Sequence, residues 1–127
     1  WFNGAGEIGS IPYLDRDYEY YCSSRFFVGR GTTGKEAYER AAAGDPEALA
    51  LWREFGGHVG QLVMLVLYTY DPEAIVFGGS IAHAFGFFRE AMYEQLKRFP
   101  YAKTVEGLHI CCSNIDHVGL LGASACE

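Results

Sequence analysis

The run DPEALALWREFGGHVGQLVMLVLYTYDP, residues 45 to 72, constrains the fold more than any other stretch. Asp45 is placed to cap a helix, Pro46 suits its first position, and Glu47 sits beside the positive helix end. From there Leu49, Trp52, Phe55, Val59, Leu62, Val63 and Val66 fall on one face, and Asp71-Pro72 stops the helix. Gly56, Gly57 and Gly60 interrupt that helix at about 1 kcal/mol each, which predicts that another backbone packs tightly there. Directly after the stop, AIVF (74 to 77) reads as a buried strand, followed by Gly78-Gly79-Ser80 and a helix from about Ile81 to Phe99 that Pro100 ends. GLHICCS (107 to 113) then reads as a second strand, and a last helix begins at GLLGASA, residues 119 to 125.

Upstream, DYEYYCSSRFF (17 to 27) forms a short helix with Tyr18, Tyr21, Cys22 and Phe26 on one face and Glu19 on another. KEAYERAAA (35 to 43) is a helix by propensity, closed by Gly44. Tyr101 to Thr104 is expected as a loop. Helices followed by strand, helix, strand and helix predict an α/β domain with strand-crossover-strand topology.

At 127 residues the chain is one domain by length and can bury a substantial core. A formal charge of −6 disfavours phosphodiester backbones and anionic lipid, so neither a nucleic acid nor a membrane is expected as partner. The longest apolar run, from Leu62, is too short to span a bilayer, and no signal peptide is visible, so a cytoplasmic location is expected. Cys22, Cys111, Cys112 and Cys126 show no zinc spacing and read as free thiols. The histidines form no ligand pattern, and none of His58, His83, His109 and His117 is given a role. The start at Trp1, entering a glycine turn almost at once, suggests a piece of a longer protein.

Two glycine-rich stretches compete as phosphate sites. GRGTTGK (29 to 35) matches most of a Walker A motif, but Glu36 stands where a Mg²⁺-holding hydroxyl is needed, so a flexible loop before a helix is the better reading. IVFGGS is the stronger one, because a buried strand delivers Gly78 and Gly79 to a helix N-terminus, where a ligand can lie against the backbone. In GAGEIGS (4 to 10), glycines that forgo about 0.5–1 kcal/mol each surround Glu7. Glu7 reads either as a surface carboxylate or as an acceptor for ligand hydroxyls, with Glu19 as a second acceptor. The pair suits a polyhydroxylated substrate, and by itself also describes a glycosidase pair.

Taken in order, NGAGEIGSIPY, YEYYCS, GDPEALALWREFGGHVGQLVMLVLYTYDPEAIVFGGSIA and GLLGASA resemble the C-terminal part of the ROK family of repressors and sugar kinases, over nearly the whole chain. The resemblance implies an α/β chain that is the C-terminal lobe of an actin-like, ribonuclease-H-like ATPase fold, spanning residues 1 to 127 and incomplete without an N-terminal lobe. It implies part of a hexose kinase, most readily a glucokinase, using ATP and Mg²⁺ on a hexose such as glucose, with a homodimer as the common assembly. Glu7 and Ser10 match the family's sugar-binding E-x-G-H motif, Glu19 matches its later sugar-binding Glu, and Gly78 and Gly79 match the glycines lining its nucleotide site. Ser10 replaces a histidine that serves the family as zinc ligand, and the cysteine-rich zinc loop is missing, so no structural zinc is expected, with packing by Tyr18, Tyr20 and Tyr21 holding Glu19 instead. The D-x-G-G-T turn and the E-N-D-x-N general base are also missing, so no catalytic residue is expected in this chain and the isolated chain is expected to be inactive. The rival from another class is the ligand domain of a sugar-responsive ROK repressor; a third is a sugar-binding module without catalysis.

Overall fold

The computed structural model describes residues 10 to 70 and 72 to 112. Glu7 and the expected helix from Gly119 lie outside them. Two short strands, β1 (Pro12–Tyr13) and β2 (Arg16–Asp17), open the chain as an antiparallel hairpin that the sequence reading did not foresee. Its turn puts Leu14 at φ 54, a conformation that Leu adopts only under strain. The expected helix over 17 to 27 is two: α1 (Tyr18–Tyr21) and α2 (Arg25–Val28). Asp17 caps α1 by accepting from the Tyr20 amide at 2.9 Å, and Ser23-Ser24 separates the two turns because hydroxyls offer the backbone non-helical partners.

α3 (Gly34–Ala42) starts on a Thr33 cap, whose hydroxyl accepts from the Glu36 amide at 3.0 Å, and ends before Gly44 at φ 89. α4 (Pro46–Tyr70) follows at once, with the Asp45 carboxylate accepting from the Glu47 amide at 3.1 Å. It is the spine of the core. Trp52, Phe55, Val59, Leu62, Val63 and Val66 are all buried along it, on the face predicted from their spacing.

β3 (Ala74–Phe77) and β4 (His109–Cys112) pair in parallel, Ala74 opposite His109 and Phe77 opposite Cys112. The crossover between them runs through α5 (Gly79–His83), α6 (Phe85–Leu96) and α7 (Ala102–Glu106). The continuous helix expected from Ile81 to Phe99 is therefore broken at Ala84, which is buried and turns the chain. The break lets Phe85 and Phe88 both pack on Phe77, with ring centroids 5.9 Å away in each case. Of the loop expected over Tyr101 to Thr104, residues 102 to 104 are helical and belong to α7.

α6 lies along α4, and the glycines of α4 set how close it comes. A Cβ on Gly56 would stand 2.3 Å from the Phe88 carbonyl oxygen, and one on Gly60 2.9 Å from that of Met92 and 2.6 Å from Gln95 Cβ. The tight backbone approach predicted from the sequence occurs at these two. Gly57 differs, since its Cβ would meet only Gln95 Nε2 at 3.9 Å.

Candidate functional site

Two regions of this frame carry the residues singled out above, and both are built on α4. The first lies at the carboxyl end of β3, where parallel sheets present ligands to the following turn. Gly78 is the N-cap of α5 and Gly79 its first residue. Gly78 has φ −122 and ψ 176, extended backbone open to any residue, and among the described residues nothing lies within 4 Å of a Cβ built on it. Neither backbone conformation nor packing requires glycine here.

Beside this turn is a pocket of about 490 Å³ between α3, α4 and α5. Ser24, Thr33, Gly34 and Lys35 form one wall, Tyr38 supplies an aromatic face, the buried Trp52 only borders the pocket, and Ile81 and His83 come from α5. Among the described residues no carboxylate lines it, although the whole chain carries a charge of −6. A cation, hydroxyls, the Tyr38 ring and the amide end of α3 together suit a flat aromatic group bearing an anion. A wider groove of about 660 Å³ between α4 and α6 is less suited, because Glu54, Glu90 and Glu94 outnumber Arg53 and Arg98 there.

The pocket changes the standing of GRGTTGK. A P-loop needs a strand before it, whereas here α2 precedes and Gly31 turns the chain at φ 79. The motif is no Walker A. Its Thr33, Gly34 and Lys35 nonetheless line the pocket, which the sequence reading missed; the signal was the glycine-rich loop itself, read as a flexible loop because neither phosphate-binding motif fits it.

The second region is the hairpin with α1. Ser10 is exposed at the start of the described residues, and Glu19 is exposed in the first turn of α1. Their distance to Glu7 is outside the described chain. The tyrosines next to Glu19 in sequence pack on one another and on Tyr13: Tyr13 stacks on Tyr18 at 4.4 Å, Tyr20 meets Tyr21 edge-on at 5.0 Å, and the Tyr21 hydroxyl donates to Asp15. Burial pushes the Tyr13 phenol up to about 12 and the Cys22 thiol upward as well.

His58, given no role from sequence, is the centre of this cluster. Its Nδ1 is 2.8 Å from the Tyr13 hydroxyl, and its Nε2 is 3.5 Å from Glu54, a loose electrostatic contact. Glu54 in turn takes both guanidinium nitrogens of Arg30, one at 2.9 Å. A carboxylate facing Nε2 favours the proton there, so Nδ1 accepts from Tyr13. No spacing rule points at His58, because its hydrogen-bond partner Tyr13 is 45 residues away in sequence.

Burial holds the His58 imidazole below the usual histidine range, with Glu54 pulling the other way. The folded state then favours the neutral ring, and the unfolded chain binds more protons once the pH drops below about 6.5. Stability is therefore expected to be full above that pH and to decline as the pH falls toward the folded value. The Arg30-paired Glu54, held low, adds its own loss only in the carboxylate range. Thermal unfolding between pH 7.5 and 5 checks this: the decline should flatten in His58→Asn, and an identical slope in that variant would remove His58 as its source.

The family's zinc loop has no counterpart in this geometry. Cys22 is half-buried, with its Sγ donating to the His58 carbonyl oxygen at 3.4 Å, and among the described residues no group of three His, Cys, Asp or Glu is placed to hold a metal. The donors here are engaged with one another and do not fit such an ion. Among the described residues no helix is long and apolar enough to cross a membrane.

Comparison with known proteins places these features. A search of curated proteins finds no match. Among solved structures, a candidate sugar kinase from Cytophaga hutchinsonii superposes with a TM-score of 0.79 at 18% identity, covering 87% of this chain and 44% of that one. A ROK family transcriptional regulator, a homolog of the E. coli MLC protein, gives a TM-score of 0.73 at 17% identity, covering 83% of this chain and 33% of that one. The chain thus spans less than half the length of either structure. Its mixed α/β fold is similar to theirs, and a sequence model of the ROK family matches residues 14 to 126. This chain belongs to the ROK family.

Proposed function

We propose that the chain is the sugar- and nucleotide-binding lobe of a ROK-type hexose kinase, with glucose the first substrate to test and Mg-ATP the phosphoryl donor. The nucleotide occupies the pocket between α3, α4 and α5, its base against Tyr38 and its phosphates toward Lys35 and the Gly78-Gly79 turn. Glu7, Ser10 and Glu19 hold the sugar through its hydroxyls, and the general base and the phosphate-binding turn come from a lobe preceding this one. Proximity is the contribution of this lobe, since fixing both reactants removes entropy from the barrier. Mg²⁺ neutralises developing phosphate charge when bound.

The observation that carries the proposal is Gly78: a glycine at a strand's carboxyl end, in backbone that any residue adopts, with none of the described residues within 4 Å of where its Cβ would be. A ligand lying on the backbone explains it. Gly78→Val is therefore expected to leave the stability unchanged or raise it by up to about 1 kcal/mol, from the stiffer unfolded chain, while nucleotide affinity falls at least about tenfold, some 1.4 kcal/mol. Calorimetric titration with ATP and ADP reads the second effect. Equal affinity in the variant removes the nucleotide from this turn. Hexose binding without any nucleotide binding would turn the proposal toward the ligand domain of a ROK regulator.

A further inference from the structure

Residues 12 to 22 are too slight to order themselves. β1 and β2 have two residues each and α1 has four with none of them buried, and elements so short do not persist alone in water. Their attachment is to α4, and it converges on one residue. Tyr13 of β1 donates to His58 Nδ1 at 2.8 Å, the Cys22 thiol at the end of α1 donates to the His58 carbonyl at 3.4 Å, and the rings of Tyr21, Tyr13 and Phe26 lie 4.7, 5.5 and 5.7 Å from the imidazole. Glu54, paired with Arg30, closes the remaining edge of the ring. Strand, helix and α2 therefore meet at a single residue. Glu19 stands on α1 between Tyr18 and Tyr20, both engaged in ring contacts, so its direction follows from how α1 is fastened.

We infer that His58 is a positioning residue, fastening the hairpin and α1 to α4 and thereby fixing the direction of Glu19. Its consequence for the sugar rests on the function proposed above; the fastening itself does not. A hydrogen bond through Nδ1 adds direction that ring packing alone lacks, and a contact misplaced by about 1 Å is enough to weaken an oriented site.

Three variants separate packing from positioning. His58→Phe keeps a ring and removes the acceptor, His58→Asn keeps a polar atom close to the Nδ1 position, and Tyr13→Phe removes the donor. Hydrogen exchange of the amides of residues 18 to 22 is expected to quicken about tenfold in His58→Phe and in Tyr13→Phe, to quicken no further in the double variant, and to return near wild type in His58→Asn, with amides of α3 and α6 unchanged. Unchanged exchange in His58→Phe overturns the fastening. In the protein carrying both lobes, His58→Phe should raise the hexose KM about tenfold and leave the nucleotide KM alone, with Glu19→Gln adding little on top. Faster exchange with an unchanged hexose KM overturns the positioning of Glu19. Absence of phosphoryl transfer by the wild-type protein counts against the kinase proposal alone, and exchange together with calorimetric hexose binding then decides the role of His58.

Discussion

Gly56→Ala is expected to destabilise the protein by about 2–3 kcal/mol, lowering the melting temperature by roughly 8–12 °C. In an isolated helix the same change is favourable by about 1 kcal/mol, because alanine has the best and glycine nearly the poorest helix propensity. The sign reverses here because the new methyl would stand 2.3 Å from the Phe88 carbonyl oxygen, a backbone atom that moves only if α6 as a whole moves. Phe88 is fully buried against Trp52 and Phe55, so shifting α6 loosens the aromatic core as well. Gly57→Ala is the control one residue away. Its methyl would meet only Gln95 Nε2 at 3.9 Å, so the propensity gain should appear undiminished, a rise of about 1 kcal/mol. Denaturant unfolding of the two variants side by side tests this, and a Gly56→Ala protein as stable as wild type would mean that α4 and α6 do not approach as described.

Glu7→Gln, in the protein carrying both lobes, should raise the hexose KM and lower turnover together. A hydrogen bond from a sugar hydroxyl to a carboxylate contributes about 1.5–3 kcal/mol, so losing the charge predicts roughly a 10- to 150-fold loss in kcat/KM. The loss exceeds that of a simple affinity change because the ring is also less well aimed at the phosphoryl donor. Deoxy sugars give the matching cycle: the analogue lacking the contacted hydroxyl should be discriminated strongly by wild type and weakly by the variant. Nucleotide KM should stay unchanged, as the described lining of the pocket proposed for it comes from Ser24 and from α3, α4 and α5. Wild-type kinetics in Glu7→Gln would take Glu7 out of the sugar site.

The two predictions differ in how far their residues were legible. Glu7 and Glu19 stood out because carboxylates in an unusual local sequence are visible in one dimension, and the resemblance to ROK proteins then supplied their role. Gly78 and Gly79 were visible for the same reason, a strand period ending abruptly in two glycines. His58 carried no such mark. A histidine one turn beyond Glu54 on a long helix has many ordinary explanations, and only the fold brings Tyr13, Tyr21 and Phe26 around it. The pocket beside α5 was hidden likewise, since its Ser24, Lys35, Trp52 and His83 come from separate segments.

By itself the sequence determined the elements whose cause is local: α4 between two Asp-Pro pairs, α3 by its propensity and its stop at Gly44, and β3 running into its glycine turn. Capping, propensity and hydrophobic period act over a few residues, and they suffice for such elements. Tertiary structure decided the rest. Residues 12 to 28 became a hairpin and two single-turn helices because their order comes from α4, and the helix after Gly79 broke at Ala84 because Phe85 and Phe88 both had a place against Phe77. Short elements gain their free energy from burial against distant partners, and that energy depends on contacts no local window contains.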